Sequence, residues 1–280
     1  MLVVLACYGL QRLRNAADGF RNVLSVRYWL DRGAGIDLYN PTTHYLKRGR
    51  HDRHEVLLTF DDGPHEGSCE SILSTLESQG VPAAFFVVGR RVKQNPALVQ
   101  RMIRDGFEVG NHTEDHLRLD KLSASQVQQQ IVGCEQAVEH ACGHKMTLLR
   151  PPGMRLSPEV NAETSVLGYT IVGWNIGAKD FIPDQQVTDM SAEESSHLRT
   201  TPSQVEERVM KQVKDGTIIL LHDNPVTAEA VPAIIRDLKA QGYRFRTVTQ
   251  LLAEMPHPVA VVANPPCDKF AMAVGRSIDR

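Results

Sequence analysis

The sequence predicts an α/β fold organised around a parallel β-sheet. From about residue 55 onward, apolar runs of about four to six residues alternate with helical segments of about ten to eighteen residues. Glycines stand where these helical segments should end, at Gly80, Gly106, Gly216 and Gly242. Strands that alternate with helices over roughly 200 residues require a parallel sheet, either a barrel or an open, doubly wound sheet.

Each predicted element follows from a local pattern. Strands are predicted where apolar residues run together, and these are Val56–Phe60, Ala83–Val88, Phe107–Gly110, Thr147–Leu149, Thr170–Gly173, Thr217–Leu221 and Tyr243–Arg246. Helices are predicted between the strands, with a capping box formed by Ser123 and Gln126 at the start of the longest. The predicted helices are Ser68–Gln79, Pro96–Asp105, Ser123–Ala141, Pro158–Leu167, Ser203–Lys214, Thr227–Gln241 and Val248–Glu254.

The chain is predicted to have three segments. Residues 1–54 form a basic N-terminal extension with nine Lys and Arg against four Asp and Glu, residues 55–255 form the regular α/β domain, and residues 256–280 form an irregular tail. Residues 182–202 interrupt the domain with a polar stretch that we interpret as a surface loop. The basic extension either docks on an anionic envelope polymer or membrane surface or packs under the fold.

Composition excludes some classes of partner and leaves the compartment open. A net charge of −2 argues against nucleic acid as the main partner, because phosphate binding usually requires a basic excess. The apolar start, Met1–Cys7, is short for an export signal and lacks a basic leader. It is therefore a first element of the fold, an interfacial anchor or a clipped export signal. The five cysteines have no framework spacing and do not decide between a cytoplasmic and an exported protein.

Two adjacent carboxylates close the first predicted strand of the domain. Asp61 and Asp62 stand in the sequence TFDDGP (59–64), directly after an apolar run. Buried carboxylates must be paired, hydrogen-bonded or bound to a metal. Catalytic groups also collect at the strand ends of α/β scaffolds. The segment therefore predicts a functional site.

Other chemically active side chains follow other predicted strands. These are His112, His116, Arg150, Asp180 and His222. Because the carboxyl ends of parallel strands point the same way, we expect these side chains to meet at one rim. One carboxylate and two imidazoles can hold a metal with positions open for water, and a second carboxylate beside it can take a proton from that water. With an arginine to orient the base and a histidine to protonate a leaving group, the set describes hydrolysis of an amide or ester.

Four motifs occur in order along the chain: TFDDGP (59–64), HTEDH (112–116), RPPG (150–153) and LLHD (220–223). In order and spacing they resemble the NodB-homology polysaccharide deacetylases, carbohydrate esterase family 4, over roughly residues 55–252. The resemblance implies that family's distorted (β/α) barrel of about seven parallel strands, fewer than the eight of a TIM barrel.

The resemblance also implies a role for each matched residue. The implied catalytic residues are Asp61 as the general base, Arg150 to orient it, His222 as the general acid and Asp180 to pair with His222. The implied metal ligands are Asp62, His112 and His116, for a divalent ion that is commonly Zn²⁺, with Co²⁺, Mn²⁺, Ni²⁺ and Fe²⁺ as alternatives.

Two positions depart from the family's pattern and concern the substrate groove. The aromatic residue that usually follows the Arg-x-Pro sequence is absent, although Gly153 could still supply the N–H group of an oxyanion hole. Phe181 replaces the usual Trp of the fourth motif. The implied substrate-binding residues are Gly153, Leu220 at the acetyl-methyl pocket, Trp174 and Phe181.

The expected function is metal-dependent removal of N-acetyl groups from N-acetylhexosamine units of a glycan. Peptidoglycan, a chitin-like polymer and a lipid-linked sugar are the candidate substrates. The alternatives are an O-acetyl esterase of the acetylxylan type or a small-amide hydrolase on the same scaffold, and a catalytically silent glycan-binding protein. The resemblance implies a cell-envelope or secreted location, whereas the incomplete export signal keeps a cytoplasmic one open.

Overall fold

A curled sheet of ten strands forms the framework of the molecule. The computed structural model describes residues 38–40, 43–180 and 200–254. In these residues the strands are β1 (Tyr39–Asn40), β2 (Tyr45–Leu46), β3 (Glu55–Asp61), β4 (Ala83–Val87), β5 (Glu108–Asn111), β6 (Leu148–Leu149), β7 (Thr170–Val172), β8 (Ile176–Gly177), β9 (Thr217–His222) and β10 (Arg244–Phe245). The helices are α1 (Ser68–Gln79), α2 (Gly89–Gln94), α3 (Pro96–Arg104), α4 (Ala124–Cys142), α5 (Pro158–Val166), α6 (Pro202–Gln212), α7 (Pro225–Ala240) and α8 (Val248–Ala253).

The sheet is parallel apart from one edge. Its strand order is β1-β2-β7-β6-β5-β4-β3-β9-β8, and β10 pairs in parallel with the start of β3. Only the pairing of β1 with β2 is antiparallel among the described strands. β3 is central and is buried along its whole length. The architecture is thus the distorted (β/α) barrel that the sequence predicts, with the carboxyl ends of the long strands at one rim.

The two faces of the curled sheet bury different apolar clusters, because successive side chains of a strand point to opposite faces. On the outer face, strand residues such as Leu58, Phe60 and Phe85 pack under the helices. The inner face carries a second cluster that includes Leu57, Ala84, Phe86, Leu148, Val172 and Ile218. Burial of one such side chain stabilises the fold by about 1.5–3 kcal/mol.

Helix α8 covers the end of the barrel at which the strands begin. Its residues Val248, Leu251 and Leu252 belong to the inner cluster. Glu108, the first residue of β5, caps the helix by accepting hydrogen bonds from the backbone N–H groups of Val248 and Thr249, both at 2.7 Å. Burial raises the pKa of the Glu108 carboxyl despite these bonds. The amino end of the barrel is therefore closed by apolar packing.

The predicted elements are confirmed, and the structure adds short ones. Each predicted strand is present with its ends displaced by at most one residue, and each predicted helix by at most two. The additions are α2 and the two-residue strands β1, β2 and β8, so the sheet exceeds the expected number of about seven strands.

Part of the segment assigned to the N-terminal extension contributes β1 and β2 to the sheet. The division into residues 1–54, 55–255 and 256–280 stays a prediction, because residues 1–37 and 255–280 lie outside the described residues. The surface loop predicted at 182–202 lies outside them up to residue 199. In the described part of the chain, no helix combines the length and apolarity that crossing a membrane would require.

Candidate active site

The turn after β3 presents both carboxylates of the first motif. β3 ends at Asp61, which pairs with His222 of β9 on one side and with Phe86 of β4 on the other. Asp62 follows with a φ of 74°, a left-handed conformation that costs free energy in any residue with a side chain. The next peptide bond, Gly63–Pro64, is cis. The chain thus turns sharply at the rim and carries the side chain of Asp62 outward.

Three side chains with metal-ligating atoms converge above this turn. Oδ1 of Asp62 lies 3.4 Å from Nε2 of His112 and 3.2 Å from Nε2 of His116. One ligand atom from each residue can be chosen so that all three lie within 4.8 Å of one another. The predicted ligands Asp62, His112 and His116 are therefore brought together.

The tautomer of His112 indicates what kind of group this cluster can bind. Its Nδ1 donates a hydrogen bond to the backbone oxygen of Arg150 at 2.6 Å, so the neutral ring has a lone pair at Nε2. That lone pair faces Oδ1 of Asp62, which is buried without a hydrogen-bond partner. Two acceptors at 3.4 Å need a cation between or beside them. The residues therefore fit a divalent metal ion.

Electrostatics favours the metal-binding protonation states of Asp62 and His116. Burial opposes ionisation of Asp62, but His112 and the other nearby histidines hold the pKa of its carboxyl well below its ordinary value. Burial and the neighbouring His112 lower the pKa of His116, which favours its neutral, ligating form.

Glu114, between the two histidines, anchors their loop to two helices. Its Oε1 accepts a hydrogen bond from Nζ of Lys93 at 2.5 Å, and only 16% of its side chain is exposed. A Cβ added to Gly89 would lie 2.1 Å from Oε2 of Glu114, and one added to Gly133 would lie 3.1 Å from its Cβ. The two glycines therefore form a slot for this side chain, which explains a glycine inside helix α4.

Arg150 lies entirely inside the barrel and fixes Asp61. Its Nη1 donates to Oδ1 of Asp61 at 2.7 Å and to Oγ1 of Thr59 at 2.9 Å. The remaining donors bind backbone oxygens, Nε to Val172 at 2.9 Å and Nη2 to Gly173 at 3.0 Å. Because all three nitrogens of the guanidinium donate hydrogen bonds, the orientation of Asp61 is determined by a rigid network.

An aromatic platform supports this network from within the inner cluster. The guanidinium of Arg150 stacks 4.2 Å from the ring centroid of Phe86. Phe86 has room because its neighbour across the sheet is Gly110, where an added Cβ would lie 2.6 Å from the ring. Gly110 thus serves the site although it carries no functional group.

His222 and Asp180 form a second pair at the rim. Nδ1 of His222 lies 2.7 Å from Oδ1 of Asp180, and its backbone N–H donates to Oδ2 at 2.6 Å. Thr227 also donates to Oδ2, at 2.5 Å. Burial disfavours the imidazolium, but the hydrogen bond and charge of Asp180 outweigh it and raise the pKa of His222. Asp180 thus engages Nδ1 of His222 and not its Nε2.

The predicted groove residues lie around these groups. Leu220 is two residues before His222, so both side chains point to the same face of β9. Trp174 is half-buried, with its ring 5.5 Å from the guanidinium of Arg150. Gly153 is exposed in the turn after β6, with a φ of 60°. Phe181 lies outside the described residues.

Comparison with known proteins assigns this arrangement to a family. The profile described as "Polysaccharide deacetylase" matches residues 48–172, which contain three of the four motifs. The peptidoglycan-N-acetylmuramic acid deacetylase PdaA of Bacillus subtilis is 33% identical over 204 residues, which cover 71% of this chain and 72% of PdaA. The chain belongs to the polysaccharide deacetylase family.

Other relatives of this deacetylase domain are longer or differ in activity. The peptidoglycan-N-acetylglucosamine deacetylase PgdA of Listeria monocytogenes is 34% identical over 200 residues, which cover 71% of this chain but 39% of PgdA. The chain thus spans about two fifths of that relative's length. The structure of BA3943, a CE4 family pseudoenzyme from Bacillus anthracis, matches with a TM-score of 0.65 and 26% identity, covering 74% of this chain and 68% of that one.

Sequence reasoning missed residues that hold the site together. These are Thr59, Phe86, Gly110, Asn111, Thr113, Glu114 and Thr227. Most of these residues are uncharged, and their role is visible only from the residues that they contact in the fold. The glycine at position 133, inside a strongly predicted helix, was a readable signal that another side chain approaches the helix there.

Proposed function

We propose that this chain is a metal-dependent N-deacetylase that hydrolyses the acetamido group of N-acetylhexosamine units in a glycan. The single observation that supports it most is the convergence of the ligand set of Asp62, His112 and His116 directly beside two other functional pairs. One pair is a carboxylate fixed by a buried arginine, and the other is a histidine with a raised pKa.

The ligand set would hold a divalent ion, which supplies a Lewis acid for the acetyl carbonyl and lowers the pKa of water. Zn²⁺ is the proposed ion because two imidazoles and one carboxylate suit it. The remaining chemistry belongs to the side chains of this chain.

Asp61 is the proposed general base. Oδ1 is engaged by Arg150 and Oδ2 lies 3.6 Å from Nε2 of His112, so its free oxygen is held at the edge of the ligand set. It takes a proton as the water oxygen bonds to the acetyl carbon. Arg150 keeps the carboxylate from rotating away during this transfer.

His222 is the proposed general acid. The C–N bond of the acetamide breaks only if the nitrogen is protonated, because an amide anion is a poor leaving group. The imidazolium of His222 donates this proton from Nε2 and leaves with a neutral ring, while Asp180 holds Nδ1. The products are acetate and the free amine of the sugar.

Peptidoglycan is the proposed glycan. Both curated relatives described above carry names for peptidoglycan deacetylases, one for N-acetylglucosamine and one for N-acetylmuramic acid. A substrate test must therefore compare deacetylation of these two sugars. A peptidoglycan substrate also supports a cell-envelope or secreted location, which fractionation of cells with an antibody against the chain would test.

The amide reaction is favoured over an O-acetyl ester reaction by the environment of His222. An alkoxide leaves more readily than an amide anion, so an esterase depends less on a strong general acid. The silent, glycan-binding alternative has a precedent in BA3943, described as a pseudoenzyme. The complete set of base, acid and ligands in this chain argues against it.

The test is acetate release from purified N-acetylglucosamine oligomers and from peptidoglycan fragments, with added Zn²⁺ and with a chelator. Metal-dependent release from either substrate supports the proposal, and faster release from acetylated xylan would favour the esterase. Metal binding with no release from any of these would favour the silent protein. Failure to bind metal would overturn the site. Cosedimentation with anionic vesicles tests the proposed contact of residues 1–54 with membranes.

A further inference from the structure

Asp62 has an unfavourable backbone conformation that the surrounding structure must hold. Its φ of 74° lies in the left-handed region, which costs free energy in a residue other than glycine. The carbonyl of Asp62 accepts a hydrogen bond from Nη1 of Arg91, and that of Gly63 accepts one from the N–H of Val88 at 2.9 Å. These bonds hold one side of the turn against β4 and α2.

Asp223, at the end of β9, holds the other side. Its N–H donates to the backbone oxygen of Asp61 at 2.9 Å, just before the turn. Its carboxylate accepts hydrogen bonds from beyond the turn, Oδ2 from the N–H of His65 at 2.9 Å and Oδ1 from Oγ of Ser68 at 2.5 Å. One residue therefore bonds to the chain on both sides of Asp62.

The fit of the carboxylate against the turn is close. Asp223 is 1% exposed, and a Cβ added to Gly63 would lie 2.6 Å from its Oδ2. The glycine of the TFDDGP motif is thus needed for contact with Asp223. Both oxygens of the carboxylate accept hydrogen bonds from the chain, so Asp223 is not placed to bind the catalytic water or a metal.

We propose that Asp223 is a positioning residue of the metal site: its carboxylate and N–H hold Asp62 in the conformation that aims Oδ1 at His112 and His116. The inference depends on one part of the proposed function, the presence of a metal site at Asp62, His112 and His116. Removing a group that orients a metal ligand typically weakens metal binding by 10–100-fold. The proposal assigns that role to Asp223, which acts on the metal site through Asp62 and is not itself a ligand.

The experiment measures the Zn²⁺ dissociation constant of the full chain by competition with a chromophoric chelator. We expect D223N to weaken Zn²⁺ binding by at least about tenfold, since its amide NH₂ must face one of two donors. S68A removes one of the two carboxylate bonds and should weaken binding by a few-fold. It also keeps the test informative should D223N fail to fold.

The matched control is E108Q. Glu108 is the first residue of β5, at the end of the barrel opposite the rim, and its carboxylate accepts two backbone N–H bonds. E108Q should lower the melting temperature as D223N does and leave the Zn²⁺ affinity unchanged. Equal affinities of wild type and D223N, or equal weakening by E108Q, would overturn the proposal for Asp223. A wild-type chain that binds no Zn²⁺ would instead overturn the proposed function itself.

Discussion

The two ends of the barrel both bury carboxylates but bond them differently. At the amino end, Glu55 pairs with Arg244 at 2.9 Å and Arg246 at 3.3 Å, and Glu108 caps a helix. At the carboxyl end, Oδ1 of Asp62 is buried against two imidazoles with no hydrogen bond. The carboxylates named at the amino end have hydrogen-bond donors, whereas a buried carboxylate oxygen without one marks the functional end. The difference is one of bonding.

The largest effect should come from the base at the carboxyl end. D61N should lower kcat/KM for acetate release by about 10²–10⁴-fold, because an amide cannot take the proton from water. Zn²⁺ affinity should persist, since Asp61 is not among the proposed ligands. E55Q, which changes a buried acid at the amino end, is the control and should leave kcat/KM within about twofold. A D61N enzyme with more than a tenth of wild-type activity would remove Asp61 from its role.

Two arginines, one at each end, extend the comparison to stability. R150M should lower the free energy of unfolding by about 3–5 kcal/mol, because it leaves Asp61 charged and unpaired inside the barrel. R244M should cost less than about 1 kcal/mol, because 69% of the Arg244 side chain is exposed. Urea unfolding of both variants gives the two values. Similar losses of unfolding free energy in the two variants would contradict a special stabilising role of the network around Arg150.

The pH dependence of the reaction should report the pairing of His222 with Asp180. His222 must be protonated to act, so activity is lost as pH rises through its pKa. Asp180 raises that pKa, so D180N should move the alkaline limb of kcat/KM to lower pH and reduce kcat. T227V removes a hydrogen bond from Asp180 but keeps its charge, and should move the limb less. An unmoved alkaline limb in D180N would exclude His222 as its source.

The smallest effect should come from a histidine at the amino end. His54 bonds the backbone oxygen of Gln241 at 2.9 Å and Asp215 at 2.7 Å, and both bonds raise its pKa. A raised pKa adds stability that is full below the unfolded value of about 6.5 and is lost as pH rises through the folded value. The melting temperatures of wild type and H54Q should therefore differ more near pH 5.5 than near pH 9. Activity should not change.

Much of the fold could be predicted because the sequence is locally consistent. Long strands such as β3 and β9 carry unbroken apolar runs, and helices such as α1 end at a glycine with positive φ. β1, β2 and β8 escaped prediction because their places depend on pairing: β2 pairs with β7, β8 pairs with β9, and β1 pairs with β2. β2 and β8 therefore enter the sheet through tertiary contacts with strands that are distant in the chain.

The residues of the site likewise divide into those that could be predicted and those that could not. Charged residues at strand ends could be found, since a parallel sheet brings such ends together and the motifs are dense in functional groups. The supports could not be found, because Phe86 and Gly110 act through shape, and shape depends on which strands are neighbours. Glu114 would be expected to face solvent, as acids usually do; the slot between Gly89 and Gly133 exists only after folding.

Thr200 lies beside Lys179, although the two residues are 21 positions apart in the chain. Oγ1 of Thr200 donates to the oxygen of Lys179 at 3.1 Å, and Arg208 reaches the same oxygen at 2.9 Å. Asp180 is meanwhile held by His222 and Thr227. The two ends of the connection between Asp180 and Thr200 are thus held together by bonds among the described residues. A change in the length of the connection should therefore change the free energy of unfolding only slowly.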